Sequence, residues 1–262
     1  MTAPTAAAQQ DVAAYALRLG DDALVLGQRL CEWAARSPQI EEDVALLNLA
    51  LDHLGAARTL LTYAGGLAGA GAAGVVRTED DLAYLRDEGD WTNALVMEVD
   101  GGDFGQTMAR QLLVAAYQLP LWQALSSSAD PEIAGVAGKS VKEVAYHLDH
   151  ARSWVVRLGD GTAESHRRVQ AGLNEVWPYA FELFERDALT TRLVDAGVAA
   201  DPLLLEPQWR ATVEAVLAEA TLTVPETTWR PTGGRSGAHT TGFGYLLAEL
   251  QHLHRSHPGA TW

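Results

Sequence analysis

The sequence predicts an all-α protein whose main body is a bundle of long helices. Apolar residues recur at spacings of three and four along several long stretches, which is the period of an amphipathic helix. No run of alternating β-branched residues occurs, and the glycine patterns of phosphate-binding and dinucleotide-binding folds are absent. We therefore expect one domain over residues 1–262, with residues 1–10 disordered and residues from about 197 to 262 forming a C-terminal appendage of shorter helices.

Two long helices are predicted at the start of the chain. The first covers residues 11–36 and ends at the Ser37-Pro38 pair, because proline cannot continue a helix. The second covers residues 40–64, and the short connection makes the two helices antiparallel neighbours. The residues predicted to face the core are Leu19, Ala23, Leu26, Leu30 and Trp33 in the first helix, and Val44, Leu47, Leu51, Leu54 and Leu61 in the second.

The middle of the chain is predicted to contain a glycine-rich loop, a short helix and a third long helix. Residues 65–74 are rich in glycine and alanine, which is typical of a loop. Residues 78–88 form a short acidic helix that Thr78 caps. The third long helix begins after Asp103, runs to about Leu125 and is kinked at Pro120. Its predicted core residues are Met108, Leu112, Ala115, Leu119 and Trp122.

The fourth helix contains residues 139–158 and has the clearest apolar stripe of the chain. Asp130-Pro131 precedes it with residues typical of a helix start. A fifth helix is expected over about 163–187, with a kink at Pro178, and shorter helices over about 206–220 and 245–255. The residues between these two shorter helices are rich in turn formers, and residues 230–239 combine arginine, glycine and histidine. They are either a flexible surface loop or a contact for a phosphate-bearing ligand.

His147 lies beside the apolar stripe of the fourth helix, which raises the question of a metal centre. Di-iron helix bundles take carboxylates and histidines from four helices, two of which carry Glu-x-x-His. The residue three before His147 is Val144, so that carboxylate is missing, and Glu143 lies on the neighbouring face. On the second helix the residue three before His53 is Ala50. Neither helix has the complete motif.

The first and third helices supply no further pair of ligands. Glu32 is either a ligand on the first helix or a surface glutamate paired with Arg29 or Arg36. The core-facing Ala115 of the third helix has no ligating atom. The count falls short of the about six ligands of a di-iron site, so we predict no catalytic, cofactor-binding or metal residue. The residual ligand-like positions are Glu32 and His147, with His53 and Glu143 as weaker ones; the alternative for His147 is a hydrogen-bonded core histidine.

Composition narrows the classes of partner. The formal net charge of −15 argues against nucleic acid and anionic lipid as partners. Cys31 is the single cysteine, which excludes an internal disulfide and fits a cytoplasmic protein. No segment approaches the about 20 apolar residues of a membrane span, and the first residues lack a secretory signal.

Four separated segments stand out: NLALDHLGAARTLL, GGDFGQTMARQ, KSVKEVAYHLDHARSWVVRLGDGT and HTTGFGYLLAELQHLHR. Together they resemble one known family, the C subunits of bacterial phenylacetyl-CoA epoxidase, and the resemblance extends over about residues 15–262. It implies a ferritin-like fold and a place in a multicomponent monooxygenase that epoxidises the aromatic ring of phenylacetyl-CoA. The C subunit is expected to be structural, with no cofactor of its own.

The resemblance also implies partners and a test of the ligand set. The homologous catalytic A subunit is expected to hold a di-iron centre, and a reductase subunit to use NADPH, a flavin and an iron–sulfur cluster. The A subunit's ligand pattern retains Glu32 and His147 here but otherwise falls on His53, Ala56, Ala115 and Val144, so most of its ligands are lost. The alternative function is an independent ferritin-like metalloenzyme with a degenerate site at Glu32, His53, Glu143 and His147.

Overall fold

The computed structural model describes residues 6–70 and 76–260, and those residues form ten α-helices and no strands. The all-α prediction is confirmed. The helices are α1 (Ala6–Cys31), α2 (Ile40–Ala70), α3 (Glu79–Tyr84), α4 (Leu95–Glu98), α5 (Phe104–Leu125), α6 (Pro131–Gly159), α7 (Ala163–Val176), α8 (Ala188–Asp195), α9 (Pro202–Glu219) and α10 (Phe243–Ser256). Short 3₁₀ helices occupy Glu88–Asp90, Trp177–Phe184 and Gly234–Ser236.

Four long helices, α1, α2, α5 and α6, form the bundle. Helix α1 packs along α2, and α5 packs along α6. The carboxylates of Glu42 and Asp52 in α2 contact His150 and His147 of α6, and Tyr63, later in α2, donates to Asp130, which caps the start of α6. The two helices are therefore antiparallel. This arrangement agrees with the expected ferritin-like bundle.

The first helix begins and ends earlier than predicted. It begins at Ala6, so residues 6–10 are helical rather than disordered, and residues 1–5 lie outside the described residues. It ends at Cys31 rather than at residue 36. The reason is local, because Ala35 has a φ of 60° and the backbone N–H of Ser37 donates to Asp43 Oδ1 at 3.0 Å. These features turn the chain directly into α2.

The second helix continues to Ala70, so the predicted loop is wrong for residues 65–70; residues 71–74 lie outside the described part of the chain. The glycines here allow close packing against the returning chain. A Cβ atom on Gly65 would lie 2.0 Å from the carbonyl oxygen of Arg77, and one on Gly69 would lie 2.5 Å from Val76 Cγ2. Close packing therefore requires glycine at these two positions, although a glycine-rich sequence does not favour a helix.

The buried face of α2 also differs from the predicted one. Val44 and Leu51 are 57% and 63% exposed, whereas Leu46, Leu49 and His53 are buried. The stretch Ile40–Gly69 is apolar enough to cross a membrane by length and composition alone, which the sequence analysis did not expect. Core helices of soluble proteins pass the same test, and this one packs on α1. Because α2 is apolar around most of its circumference, periodicity could not select the buried face.

Helices α5 and α6 confirm the predicted starts. Asp103 Oδ1 accepts the backbone N–H of Gln106 at 3.0 Å, and Asp130 Oδ1 accepts the N–H groups of Glu132 and Ile133. Pro131 occupies the first turn of α6, where its missing N–H costs nothing. The start of each helix is therefore determined by hydrogen bonds between residues that are close in the sequence.

The C-terminal third packs on the same core. The predicted fifth helix changes at Pro178 from α7 to the 3₁₀ helix Trp177–Phe184 instead of running to residue 187. Trp209 of α9 is fully buried and donates from Nε1 to the carbonyl of Leu113 in α5 at 2.9 Å. Phe243 of α10 belongs to the same continuous cluster of buried apolar residues.

Candidate functional site

Two histidines from different helices meet inside the bundle. His53 of α2 and His147 of α6 are 4% and 2% exposed, and their ring centroids lie 4.9 Å apart. His147 Nε2 lies 3.0 Å from Asp52 Oδ2. Because an ionised carboxylate only accepts, Nε2 carries the proton in this pair. These three side chains are the part of the predicted ligand region that the fold brings together.

The environment of the two histidines favours their neutral forms. Burial, followed by the charges of His147 and Arg110, lowers the pKa of His53 well below its ordinary value of 6.5. Burial also lowers the pKa of His147, although the hydrogen bond and the charge of Asp52 oppose the shift. Among the described residues, His53 Nε2 and His147 Nδ1 have no hydrogen-bond partner. The pair therefore offers two ring nitrogens with unused hydrogen-bonding capacity.

The two predicted glutamates lie in other interactions. Glu32 follows the end of α1, and its Oε1 accepts from Arg29 Nη1 at 2.7 Å, as in the ion-pair alternative. Glu143 Oε1 lies 3.3 Å from Lys139 Nζ, one turn earlier on α6. The fold therefore brings together two of the four residues of the degenerate site, His53 and His147.

A buried arginine lies near the histidines, and sequence reasoning did not single it out. Arg110 of α5 is fully buried, and its Nη1 donates to the carbonyl of Val99 at 2.5 Å. Its Nε and Nη2 atoms have no partner among the described residues. Burial and the charge of Arg29 lower its pKa to about 10, so it remains a cation at neutral pH. Nearly every residue of α5 is buried, so its periodicity gave no signal for Arg110.

The donor set does not fit a di-iron centre. Within residues 6–70 and 76–260, no group of three or more His, Cys, Asp or Glu side chains is placed to hold a metal ion. His53, His147 and Asp52 cannot supply the bridging carboxylates that two irons require, and Ala115 of α5 is buried without a ligating atom. The nearby Arg110 cation opposes a second positive charge. We therefore derive no chemical step through a metal in this chain.

Residues 230–239 are anchored rather than flexible. Arg235 donates to both carboxylate oxygens of Asp22 at 2.8 Å, and Glu182 Oε1 accepts the N–H groups of Gly233 and Gly234. His239 Nδ1 lies 2.8 Å from Glu98 Oε2. Asp22, Glu98 and Glu182 are all buried, so these contacts fasten the segment to the bundle. Because Arg235 is occupied by Asp22, the phosphate-contact alternative loses its main cation.

Comparison with known proteins identifies the relatives of this bundle. The family profile described as phenylacetic acid catabolic protein matches residues 1–262. The C subunit of 1,2-phenylacetyl-CoA epoxidase from Escherichia coli (strain K12) is 44% identical over 249 residues, which are 95% of this chain and 98% of that protein. The similarity therefore extends over the bundle and the C-terminal helices alike.

Proposed function

We propose a function from one premise, which the family match and the 44% identity establish: the chain belongs to the phenylacetic acid catabolic protein family. On that premise it is the structural subunit of a multicomponent bacterial monooxygenase that epoxidises the aromatic ring of phenylacetyl-CoA. It works in the cytoplasm, in aerobic phenylacetate degradation, and it performs no chemistry itself. Its continuous core supports a single-domain subunit.

The main support for a structural role is the set of residues at the centre of the bundle. A catalytic di-iron subunit needs carboxylates and histidines from four helices, whereas this centre contains a histidine pair, Asp52 and the cation of Arg110. Glu32 pairs with Arg29, and Glu143, whose charge acts on His147, pairs with Lys139. The residues thus favour packing over metal binding, and the independent metalloenzyme is the weaker candidate.

The proposed partners follow from the name of the relative, which is one subunit of a larger enzyme. The homologous catalytic subunit would hold the two irons and bind the acyl-CoA. A reductase subunit with a flavin, an iron–sulfur cluster and NADPH would supply the electrons. On this proposal the present chain stabilises the catalytic subunit by burying part of its surface, and a stable complex of this kind typically buries more than about 1,000 Å² in total.

Elemental analysis tests the proposal directly. The purified chain is expected to contain far less than one metal ion per molecule, and the co-purified complex is expected to contain iron. A matched control is the double variant His53→Ala/His147→Ala, whose complex should contain the same iron as the wild type. Stoichiometric metal on the chain alone, together with turnover of phenylacetyl-CoA, would refute the structural role.

A further inference from the structure

A cavity lies where α1 and α5 meet the 3₁₀ helix Trp177–Phe184 and the segment 230–239. Its volume is about 170 Å³, similar to the about 150 Å³ of an engineered cavity that binds benzene in another protein. Its floor includes three buried leucines: Leu19, Leu121 and Leu183. Glu185 and Ser236 line the same cavity and are exposed, so they form part of its rim. The cavity therefore admits a ligand of about the size of a benzene ring from solvent.

Two buried tyrosines bring their side chains to this cavity. Tyr15 of α1 and Tyr117 of α5 both line it, and they are 7% and 5% exposed. Burial raises the pKa of Tyr117 to about 12 and raises that of Tyr15 above its ordinary value of 10, so both hydroxyls are neutral at pH 7. The backbone of Ala200 hydrogen bonds to Tyr15, whereas the hydroxyl of Tyr117 has no hydrogen-bond partner among the described residues. Because buried polar groups normally have a partner, the hydroxyl of Tyr117 indicates a place for a polar group of a ligand.

The charges around the cavity leave a negative excess. Five charged side chains line it: Arg18, Arg235, Glu182, Glu185 and Asp187. Arg18 pairs with Asp187 at 2.6 Å, and both Nη atoms of Arg235 donate to the carboxylate of Asp22 at 2.8 Å. With Asp22 included, four carboxylates surround two guanidinium groups, and each guanidinium group already has an ion-pair partner. The cavity therefore repels an anionic ligand and attracts a cationic one.

Glu185 is the carboxylate that a ligand can reach. Both carboxylate oxygens of Glu182 already accept backbone N–H groups. The side chain of Glu185 forms no hydrogen bond or ion pair with a described residue, and Arg186 beside it pairs with Asp201 at 2.9 Å. Partial burial raises the pKa of Glu185 above its ordinary value of 4.5, and the charge of Glu182 adds to this shift. A cation close to Glu185 would oppose the shift and be stabilised by the carboxylate.

We propose that this cavity binds a small primary amine as its ammonium ion. The ammonium group, which has three N–H donors, donates to the carboxylate of Glu185 and to the hydroxyl oxygens of Tyr15 and Tyr117. The faces of the tyrosine rings also attract a cation. The apolar part of the ligand packs on the leucines of the floor, which favours an organic ammonium ion over an inorganic cation. The site contains neither histidine of the bundle centre, so this proposal does not depend on the function proposed above.

Three ligands of similar shape and different charge test the site on the full-length chain. Benzylamine is a cation at pH 7, benzyl alcohol is neutral and benzoate is an anion. Isothermal titration calorimetry in about 0.15 M salt, which screens long-range attraction, should show one saturable site for benzylamine. We expect its Kd to be about 1 mM or lower and at least about tenfold below that of benzyl alcohol, with no measurable binding of benzoate. No saturable binding of benzylamine, or equal binding of the alcohol or of benzoate, would overturn the proposal.

A pair of glutamate variants separates the site from the overall charge of the chain, which is −15 and attracts any amine. Glu185→Gln keeps the shape of the side chain and should raise the Kd of benzylamine by about tenfold or more. Glu249→Gln removes the same charge from an exposed position of α10 outside the cavity, and should change that Kd by less than about twofold. Equal effects of the two variants would show that the amine follows the net charge, and would overturn the proposal.

A pair of tyrosine variants tests the hydroxyl without changing any charge. Tyr117→Phe keeps the ring and should raise the Kd of benzylamine by about fivefold, the effect of one hydrogen bond. The Tm of the free chain should stay the same or rise, because this hydroxyl has no partner among the described residues to lose. Tyr179→Phe, whose ring packs on Trp229 outside the cavity, is the matched control and should bind as the wild type does. Wild-type affinity of Tyr117→Phe for benzylamine would overturn the proposal.

Discussion

His147 Nε2 and Asp52 Oδ2 lie 3.0 Å apart, so a core histidine of α6 is held by a carboxylate of α2 that is itself partly exposed. The contact fixes the ring of His147 against His53 and leaves Nδ1 without a partner among the described residues. The ring of His53 lies 4.9 Å from that of His147, centroid to centroid, and the contact with Asp52 joins α6 to α2.

Removing this histidine should reduce stability and leave the assembled epoxidase active. His147→Ala opens a cavity between α2 and α6, and we expect a loss of about 2–3 kcal/mol in the free energy of unfolding. Urea denaturation measures that loss, and turnover of phenylacetyl-CoA by the assembled complex measures function. Asp52→Asn, which preserves the shape, should lose only about 1 kcal/mol. A folded His147→Ala complex without turnover would instead favour a catalytic histidine.

The helix starts were predictable because short-range chemistry determines them. Thr78, Asp103 and Asp130 each accept backbone N–H groups of the first helical turn, and this depends on residues two or three positions away. The break at Pro178 was visible for the same reason, although its outcome, a 3₁₀ helix, was not. All the groups that determine where a helix starts or breaks therefore lie within a few residues of one another in the sequence.

The contents of the bundle centre were less predictable, because they depend on which faces of different helices meet. The sequence placed His147 inside, since its helix has one narrow stripe. It ranked His53 only as a weaker ligand-like position, because α2 is apolar almost all round and periodicity did not show that the buried face runs through Leu46, Leu49 and His53. Arg110 escaped notice because α5 is buried on every side. Only tertiary packing decides such positions.

Acid should destabilise the fold through the two buried histidines. Burial lowers the pKa of both His53 and His147 below 6.5, so the unfolded chain binds protons more readily than the folded one. The contribution of the two neutral histidines to the free energy of unfolding is therefore complete above about pH 6.5, and it declines as the pH falls below that value. Urea denaturation between about pH 7.5 and 5 measures this slope. His53→Leu should flatten it, and an unchanged slope in that variant would contradict the assignment.

The cation of Arg110 should control the pKa of His53. Its charge contributes to the lowered pKa of that histidine, after burial and His147. Arg110→Met keeps an apolar chain of similar length and removes the charge, so the pKa of His53 should rise. Titration of the imidazole resonances by NMR measures the shift. The control is Arg230→Met, which removes a cation lying over Phe181 and should leave His53 unchanged. If the pKa of His53 does not rise in Arg110→Met, the guanidinium charge of Arg110 does not act on this histidine.

The anchored C-terminal segment should respond to pH in the opposite direction. Burial opposes protonation of His239, but the hydrogen bond and charge of Glu98 prevail and raise the pKa of His239 above 6.5. The folded state therefore binds this proton more tightly than the unfolded state. The stabilisation of the folded state by His239 is therefore complete below about pH 6.5, and it is lost as the pH rises through the higher pKa that His239 has in the folded state.

A substitution of His239 tests whether this histidine stabilises the fold more at low pH than at high pH. His239→Gln removes the charged partner of Glu98 while keeping a hydrogen-bond donor, and should cost about 1–2 kcal/mol in the free energy of unfolding near pH 6. The difference from the wild type should shrink as the pH rises through the raised folded pKa of His239, above which this histidine is neutral in both states. Proteolysis of residues 223–242 should quicken in the variant, because Arg235 and the glycines that contact Glu182 then fasten the segment without His239. A difference that grows as the pH rises would contradict the raised pKa of His239 and would mean that Glu98 binds the neutral histidine more tightly.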